Sequence, residues 1–373
     1  MDDRPATERV ETLIIGGGQA GLATGYFLKE LGRPFLILDA GERVGDGWRS
    51  RWESLRLFTP ARFDRLPGLP HAGPSWSFPT KDEMGDYLEA YVQRFDLPVR
   101  TGVKVERLAK EGDHFVITSP GERFEAENVV VATGACQIPK VPAFAGELSP
   151  NITQLHSKDY RTPTQLSEGD VLVVGVGNSG AEISMELSKS RRTLLAGKES
   201  GHIPVRHGSI PARYGFRLFR FFAHRVMTKG TPIGRKLAPK LTAHGDPLIR
   251  VRPKDLAAAG IERVPRVAGV ADGLPVLEGG RALHVANVIW CTGFRSDFGW
   301  IDLPVVGTDG EPIHDRGVSG SEPGLSFVGL TFQYSLSSEV LPGMARDHAF
   351  VANHISSRAA SRSRARPEFD AAR

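Results

Sequence analysis

The sequence predicts an α/β fold, and three observations carry that prediction. Two segments, one near the N-terminus and one near mid-chain, each read as strand, glycine-rich turn, helix and second strand. Two further strand-like runs, one before and one after the mid-chain segment, end in Thr-Gly. The chain has 373 residues, 40% hydrophobic and 24% charged, which suits an ordinary globular protein of about two domains at roughly 150 residues each. Taken together these features predict two nested Rossmann-like dinucleotide-binding domains, the second inserted into the first.

In the first segment, Leu13-Ile14-Ile15 lead into Gly16-Gly17-Gly18-Gln19-Ala20-Gly21. Leu22 to Leu31 reads as a helix closed by Gly32, and Phe35-Leu36-Ile37-Leu38 as a strand ending at Asp39. Each part has a physical task. Gly16 makes the tight turn, Gly18 leaves room for a pyrophosphate, and Gly21 lets helix and strand approach. The helix N-terminus offers free N–H groups and partial positive charge to phosphates. Asp39 stands where a carboxylate can accept from ribose hydroxyls, about 20 residues beyond the turn.

The second segment repeats the logic. Val171-Leu172-Val173-Val174 precede Gly175-Val176-Gly177-Asn178-Ser179-Gly180, then a helix from Ala181 to Lys189 and a strand Thr193-Leu194-Leu195-Ala196. No acid ends that strand. Gly197-Lys198 follow it, and Arg191 and Arg192 precede it. Cations in place of the acid suit the 2′-phosphate of NADPH better than the free ribose of NADH, with NADH still open.

Two such sites in one chain point to FAD at the first and a nicotinamide nucleotide at the second. Val129-Val130-Val131-Ala132-Thr133-Gly134 and Val288-Ile289-Trp290-Cys291-Thr292-Gly293 read as the places where the chain leaves the FAD domain and returns to it. Leu325 to Gly329 reads as a strand and Met344 to Ile355 as a helix closing that domain. The expected division is 1–150 and 289–356 for the FAD domain and 151–288 for the NAD(P) domain. A basic insert spans 202–254, and a disordered basic tail spans 357–373.

Other classes fit less well. No apolar run reaches the ~20 residues needed to cross a bilayer, and Met1 to Glu11 lacks a signal-peptide core, so a cytoplasmic location is expected. Cys136 and Cys291 are too few and too far apart for a disulfide scaffold or a zinc site, and buried free thiols are expected. The 11 histidines are scattered, so no metal site is expected. The net charge of +4 comes with no nucleic-acid reader motif, and no nucleophile elbow points to hydrolysis. In the insert, Tyr214 to Met227 reads as a helix with Arg217, Arg220 and Arg225 near one face and Leu218, Phe219, Phe222 and Val226 largely on others. A packed surface helix, a lid over substrate entry and a membrane-surface helix all remain open for it.

Both fingerprints, both Thr-Gly turns and Gly45-Asp46-Gly47-Trp48-Arg49-Ser50-Arg51-Trp52 resemble the flavin-containing monooxygenase group. The likeness is to its small bacterial CzcO-like or TrkA-like members, with features shared with plant indole-pyruvate monooxygenases, and it spans Val10 to Ile355. It implies that Gly47, Trp48, Val105, Ala132, Thr133, Gly134, Gly329 and Gln333 lie along FAD, with Leu55 to Pro60, including Thr59, near the flavin ring. Thr292, Gly293 and Arg295 would lie by the nicotinamide nucleotide. His156-Ser157-Lys158-Asp159-Tyr160 matches the second half of the group's linker signature, which makes His156 and Tyr160, with Thr59, the candidate catalytic-site residues. The first half departs, because Pro150 and Ile152 stand where Phe and Gly belong.

The implied activity is an NAD(P)H monooxygenase of the EC 1.14.13 type, acting on O₂ and a small molecule through a flavin C4a-(hydro)peroxide. A sulfide or amine, or a ketone, would take the oxygen atom. A homodimer is left open. The alternatives are an NAD(P)H oxidase or dehydrogenase without oxygen insertion, and a flavin-based redox sensor linked to ion transport. A disulfide reductase of the thioredoxin-reductase type needs a Cys-x-x-Cys, which is absent.

Overall fold

A computed structural model describes residues 7–198, 201–243 and 247–370, and at 237, 240–243 and 363–370 only the backbone. The first sheet begins with β1 (Thr7–Ile15), α1 (Gln19–Glu30), β2 (Phe35–Leu38), the short α2 (Asp46–Arg49) and α3 (Lys81–Phe95). It continues through β3 (Val99–Arg100), β4 (Arg107–Glu111), β5 (His114–Ser119) and β6 (Glu122–Val131). After β7 (Ile138–Pro139) the second sheet opens with β8 (Thr153–His156), β9 (Val171–Val174), α4 (Asn178–Leu187) and β10 (Thr193–Ala196). Helices α5 (Ile210–Arg225), α6 (Pro232–Ala243) and α7 (Pro253–Ala258) follow, then β11 (Glu262–Val264), β12 (Val267–Ala271), β13 (Leu274–Leu277) and β14 (Asn287–Trp290). The chain ends through β15 (Phe294–Arg295), β16 (Leu325–Phe327) and α8 (Ala345–Asp370).

The first sheet runs β3-β2-β1-β6-β5-β4, and β16 also pairs with β6. On the edge away from β1, the ten residues of β6 serve two further neighbours. Glu122–Ala126 pair antiparallel with β5, while Val129–Val131 pair parallel with β16. The second sheet, β11-β10-β9-β14-β8, is parallel throughout. Its strands span 153–290 and therefore fall between β6 and β16 of the first sheet.

Alternation along each central strand explains why both sheets are covered. Ile14 joins one cluster with Leu22, Leu88 and Val351, while Leu13 and Ile15 join another with Phe115, Phe124 and Phe327. In β9, Val171 and Val173 face one cluster, and Leu172 and Val174 face the other. A strand buried on both faces reads as a continuous apolar run, as these do.

Two expectations need correcting. The C-terminal helix does not stop at Ile355, because α8 runs on to Asp370 and the supposed tail 357–370 is helical. The cause is local anchoring: Arg358 donates to the Glu127 carbonyl at 3.1 Å and to Asn128 Oδ1 at 2.8 Å, and Ala359 is buried. Residues 371–373 of that tail lie outside the described residues. Cys136, expected to be buried, is exposed, because it sits in the connection after β6 and not within the strand.

Candidate functional site

The three glycines of the first turn divide their work. Gly16 has φ 111°, and a Cβ there would sit 2.5 Å from the Ala132 carbonyl oxygen. A Cβ on Gly21 would lie 1.9 Å from the Gly16 carbonyl oxygen. A Cβ on Gly18 would meet nothing within 4 Å. Two glycines thus serve packing, and the third faces open space. Gly18 caps α1 without a side-chain hydrogen bond, so the helix presents unsatisfied N–H groups and its positive end to that space. Gln19 and Ala20 form the first turn there.

The surroundings are held from several elements. Asp39 accepts from Gly17 N at 2.5 Å and from Gly41 N at 2.8 Å. Gln19 Oε1 accepts the Trp48 indole N–H at 3.1 Å, which brings the Gly47-Trp48 run onto the start of α1. Val103 N donates to the Asp39 carbonyl at 2.9 Å, and the half-buried Val105 packs behind it against the core. Ala132 N donates to the Ile15 carbonyl. From the chain's far end, the space a Cβ on Gly329 would take lies 3.0 Å from Ala20 Cβ. Gln333 is fully buried. Its Nε2 donates to the Arg316 carbonyl, and its Oε1 has no partner among the described residues.

The second turn repeats the geometry. Gly175 has φ 113°, and a Cβ there would lie 2.2 Å from the Cys291 carbonyl oxygen. A Cβ on Gly180 would lie 1.8 Å from the Gly175 carbonyl oxygen, and one on Gly177 would meet nothing within 4 Å. Gly177 caps α4 without a side-chain bond, with Ser179 in the helix's first turn. Asn178 is engaged elsewhere, donating to the Pro247 carbonyl at 3.2 Å and accepting from Ile249 N at 2.9 Å.

The cations around this turn separate by strand end. Lys198 follows β10 and is exposed. It lines a cavity of about 290 Å³ with Gly197, Pro265, Arg266 and Glu278. Arg191 and Arg192, expected to assist, lie at the opposite end of β10. Arg191 donates to the Ser167 and Pro163 carbonyls, and Arg192 pairs with Asp170 at 2.7 Å and Glu262 at 2.6 Å. Arg266, which the sequence pattern does not single out, takes their place beside Lys198 because it follows β11, the neighbour of β10 in the sheet.

Two chain crossings join the sheets, and they run side by side. β7 and β15 pair antiparallel. Gln137 Nε2 donates to Thr133 Oγ1 at 3.0 Å and the Gly134 carbonyl at 2.7 Å, while its Oε1 accepts from Asp297 N at 2.8 Å. Thr292 Oγ1 donates to the Lys140 carbonyl. His156 is buried, with Nε2 3.1 Å from the Gly293 carbonyl and Nδ1 accepting from Lys158 N at 3.1 Å. Burial lowers its pKa, so the ring is neutral with the proton on Nε2. Both nitrogens are thereby committed. Tyr160 is fully buried and donates to Glu186 Oε2 at 2.7 Å; burial pushes its phenol pKa up. Arg295 is exposed on β15.

The Leu55–Pro60 segment is gripped by the basic insert, which motif reading alone does not show. Arg250 pairs with Glu182 of α4 at 2.7 Å and donates to the Leu57 carbonyl at 2.7 Å and the Arg56 carbonyl at 3.0 Å. Burial raises Glu182 to about 7 despite this partner. His207 Nε2 sits 2.7 Å from the Phe58 carbonyl, and its ring packs on Phe78. The insert also reaches the closing stretch, with Lys229 N donating to the Tyr334 carbonyl at 2.7 Å. Thr59 donates to Asp64, a fully buried carboxyl that desolvation pushes up to about 7.

The pyridine nucleotide-disulphide oxidoreductase family matches residues 13–201. The chain belongs to that family. Within it, this oxidoreductase is 40% identical over 349 residues to an uncharacterized CzcO-like oxidoreductase of Geobacillus kaustophilus, covering 93% of this chain and 98% of the relative. It is 36% identical over 198 residues to the indole-3-pyruvate monooxygenase YUCCA1 of Oryza sativa subsp. japonica, covering 51% of this chain and 49% of that one. Among solved structures it is similar to the flavin-containing monooxygenase from Stenotrophomonas maltophilia, with TM-score 0.74 and 27% identity over 94% of this chain and 99% of that chain. This family member has two cysteines only. Cys136 is exposed, and burial raises the Cys291 thiol to about 12.

Proposed function

We propose that the chain is an FAD- and NAD(P)H-dependent monooxygenase that transfers one oxygen atom from O₂ to a soft nucleophile, a sulfide or amine, or to a ketone. Its two sheets would form an FAD domain with the NAD(P) domain inserted in it. The likeness to named flavin monooxygenases supports this reading. The observation that carries it is the pair of uncapped helix N-termini, each fronted by a glycine that faces open space.

The residues fit the groups this requires. A diphosphate needs a backbone cradle, free N–H donors and positive potential, and both turns supply them. Gly16, Gly18, Gln19, Ala20, Gly21, Asp39, Trp48 and Ala132 to Gly134 would hold FAD, and the unpartnered Gln333 Oε1 would accept from a donor on its ring system. Gly175, Gly177, Ser179, Lys198 and Arg266 would hold the nicotinamide nucleotide, with the two cations favouring a 2′-phosphate. Bound flavin supplies electron transfer and activation of O₂. The chain's own part is orientation and exclusion of water. His156 and Tyr160 act as positioning residues, because one is spent on the Gly293 carbonyl and the other on Glu186. The Leu55–Pro60 segment, held by Arg250 and His207, walls the substrate side.

The test is aerobic turnover of purified protein with NADPH and a panel of sulfides, amines and ketones. Product and free hydrogen peroxide are both counted against NADPH consumed. Oxygenated product near stoichiometric with NADPH supports the reading. Peroxide alone, across the panel, makes the protein an oxidase.

A further inference from the structure

Helix α5 divides its side chains in an unusual way. Phe216 packs on Phe63 at 5.0 Å between ring centroids. Arg213 lies over Trp76 at 4.9 Å, Arg220 over Phe63 at 5.6 Å, and Ala223 is buried. At 100° per residue these four share one face, directed to the protein. The opposite face carries Ile210, Tyr214, Leu218 and Phe221, with relative exposures of 67%, 69%, 60% and 57%. Arg213 and the partly covered, still exposed Arg220 therefore lie over aromatic rings of the protein, while the opposite face exposes a row of apolar side chains, which departs from the usual polar outer face of a surface helix. Exposed Arg217 and Arg225 flank the apolar stripe, and α6 adds exposed Ile233, Arg235 and Lys236.

Charge selects the partner. Residues 202–254 contain 12 lysines and arginines and a single acid, whereas the whole chain has 47 Lys+Arg against 43 Asp+Glu. The remainder of the chain is therefore net negative, and the net positive charge lies in this segment, whose exposed Arg217, Arg225, Arg235 and Lys236 belong to α5 and α6. A second copy docking by the same face would set cation against cation. A contiguous exposed apolar stripe with a basic rim fits an anionic bilayer surface, into which a helix lies flat to a depth of about 5–10 Å.

We propose that α5 seats the enzyme on anionic phospholipid membranes, with Ile210, Tyr214, Leu218 and Phe221 in the acyl boundary and the arginines and lysines at the headgroups. No helix among the described residues is long and apolar enough to cross, so attachment is peripheral and reversible. Because the inner face of the same helix packs on the 63–76 loop beyond the Leu55–Pro60 segment, docking places the substrate side of the protein close to the lipid.

The experiment is flotation of the full-length holoprotein with vesicles of phosphatidylglycerol and phosphatidylcholine, compared with phosphatidylcholine alone. Binding is expected on the anionic vesicles and at least about tenfold weaker on the neutral ones or at high salt. The variant Tyr214→Ser with Leu218→Ser and Phe221→Ser removes only outward side chains. It should keep its melting temperature and its turnover of a water-soluble substrate while losing vesicle binding by about tenfold or more. A wild type that does not float with anionic vesicles overturns the proposal, as does a triple variant that binds them as well as wild type. Concentration-dependent dimerisation that the triple variant abolishes, without vesicle binding, would assign the stripe to a second copy instead.

Discussion

Gly18 and Gly21 are three residues apart but answer to different constraints, and substitution separates them. Alanine at Gly21 drives a Cβ to 1.9 Å from a backbone oxygen, so Gly21→Ala should cost about 3–5 kcal/mol of stability. Alanine at Gly18 meets no protein atom and keeps an ordinary backbone, with φ −76°. Gly18→Ala should change stability by less than about 1 kcal/mol, while flavin content after purification falls sharply. Thermal unfolding of the apoproteins and flavin absorbance per chain check both; an apoprotein of Gly18→Ala as unstable as that of Gly21→Ala would remove the distinction. Asp64 gives a second prediction at this scale. Its carboxyl is raised to about 7 by burial, above the unfolded value, so the folded state prefers the protonated form. Stability is fully present at low pH and is lost as pH rises from the unfolded value through about 7, by about 1.4 kcal/mol per pH unit between the two. Asp64→Asn, which cannot ionise, should raise the melting temperature at pH 8 and leave it nearly unchanged near pH 4. A variant less stable than wild type at pH 8 would show that the anion is the stabilising form.

At the scale of elements, the ends of strands decide which cations share the cavity beside the second glycine turn. Lys198 and Arg266 follow adjacent parallel strands and share one cavity, whereas Arg191 and Arg192 lie a strand's length away in ion pairs and carbonyl contacts. Replacing Lys198 or Arg266 by alanine should raise the KM for NADPH about tenfold each, the value of one charge-assisted hydrogen bond, with NADH kinetics unchanged. Equal losses with both nucleotides would mean that these cations do not read the phosphate. The same geometry explains what was legible beforehand. The glycine turns are readable because backbone contact forbids a side chain at Gly16, Gly21, Gly175 and Gly180, which recur at fixed spacing. Lys198 is readable because it continues the motif's own strand. Arg266, Arg250 and His207 are not, because each reaches the site through sheet or loop neighbours remote in sequence. The stretch 61–128 carries no glycine fingerprint; the start of α3 is marked only by its Thr80–Glu83 capping box, and the antiparallel β4–β5–β6 meander emerges from the fold. Arg358 and Ala359 carry the last lesson: a Ser/Ala/Arg composition looks like a solvated tail until a carbonyl and an Asn side chain in β6 anchor it as helix.

For the molecule as a whole, the critical feature is that its two glycine turns belong to different sheets linked by two crossings side by side. The β7–β15 pair and the three hydrogen bonds of Gln137 hold those crossings in register, and the His156–Gly293 contact fastens the return crossing to the end of β8. None of them reaches into either helix N-terminus. Their effect should therefore fall on the relation between the sites and not on either site alone. His156→Ala is predicted to slow anaerobic flavin reduction by NADPH about tenfold or more, because a misplacement of about 1 Å between reacting centres is worth that much. Flavin content and the Kd for NADP⁺ should stay near wild type. Rapid mixing gives the reduction rate and titration gives the affinities, so the two quantities separate. A loss confined to affinity would make His156 a part of the second turn's own architecture. A loss confined to rate would make the paired crossings the element that sets donor against acceptor, and Gln137→Ala should then reproduce it, since Gln137 joins the Thr133-Gly134 turn of one crossing to Asp297 of the other.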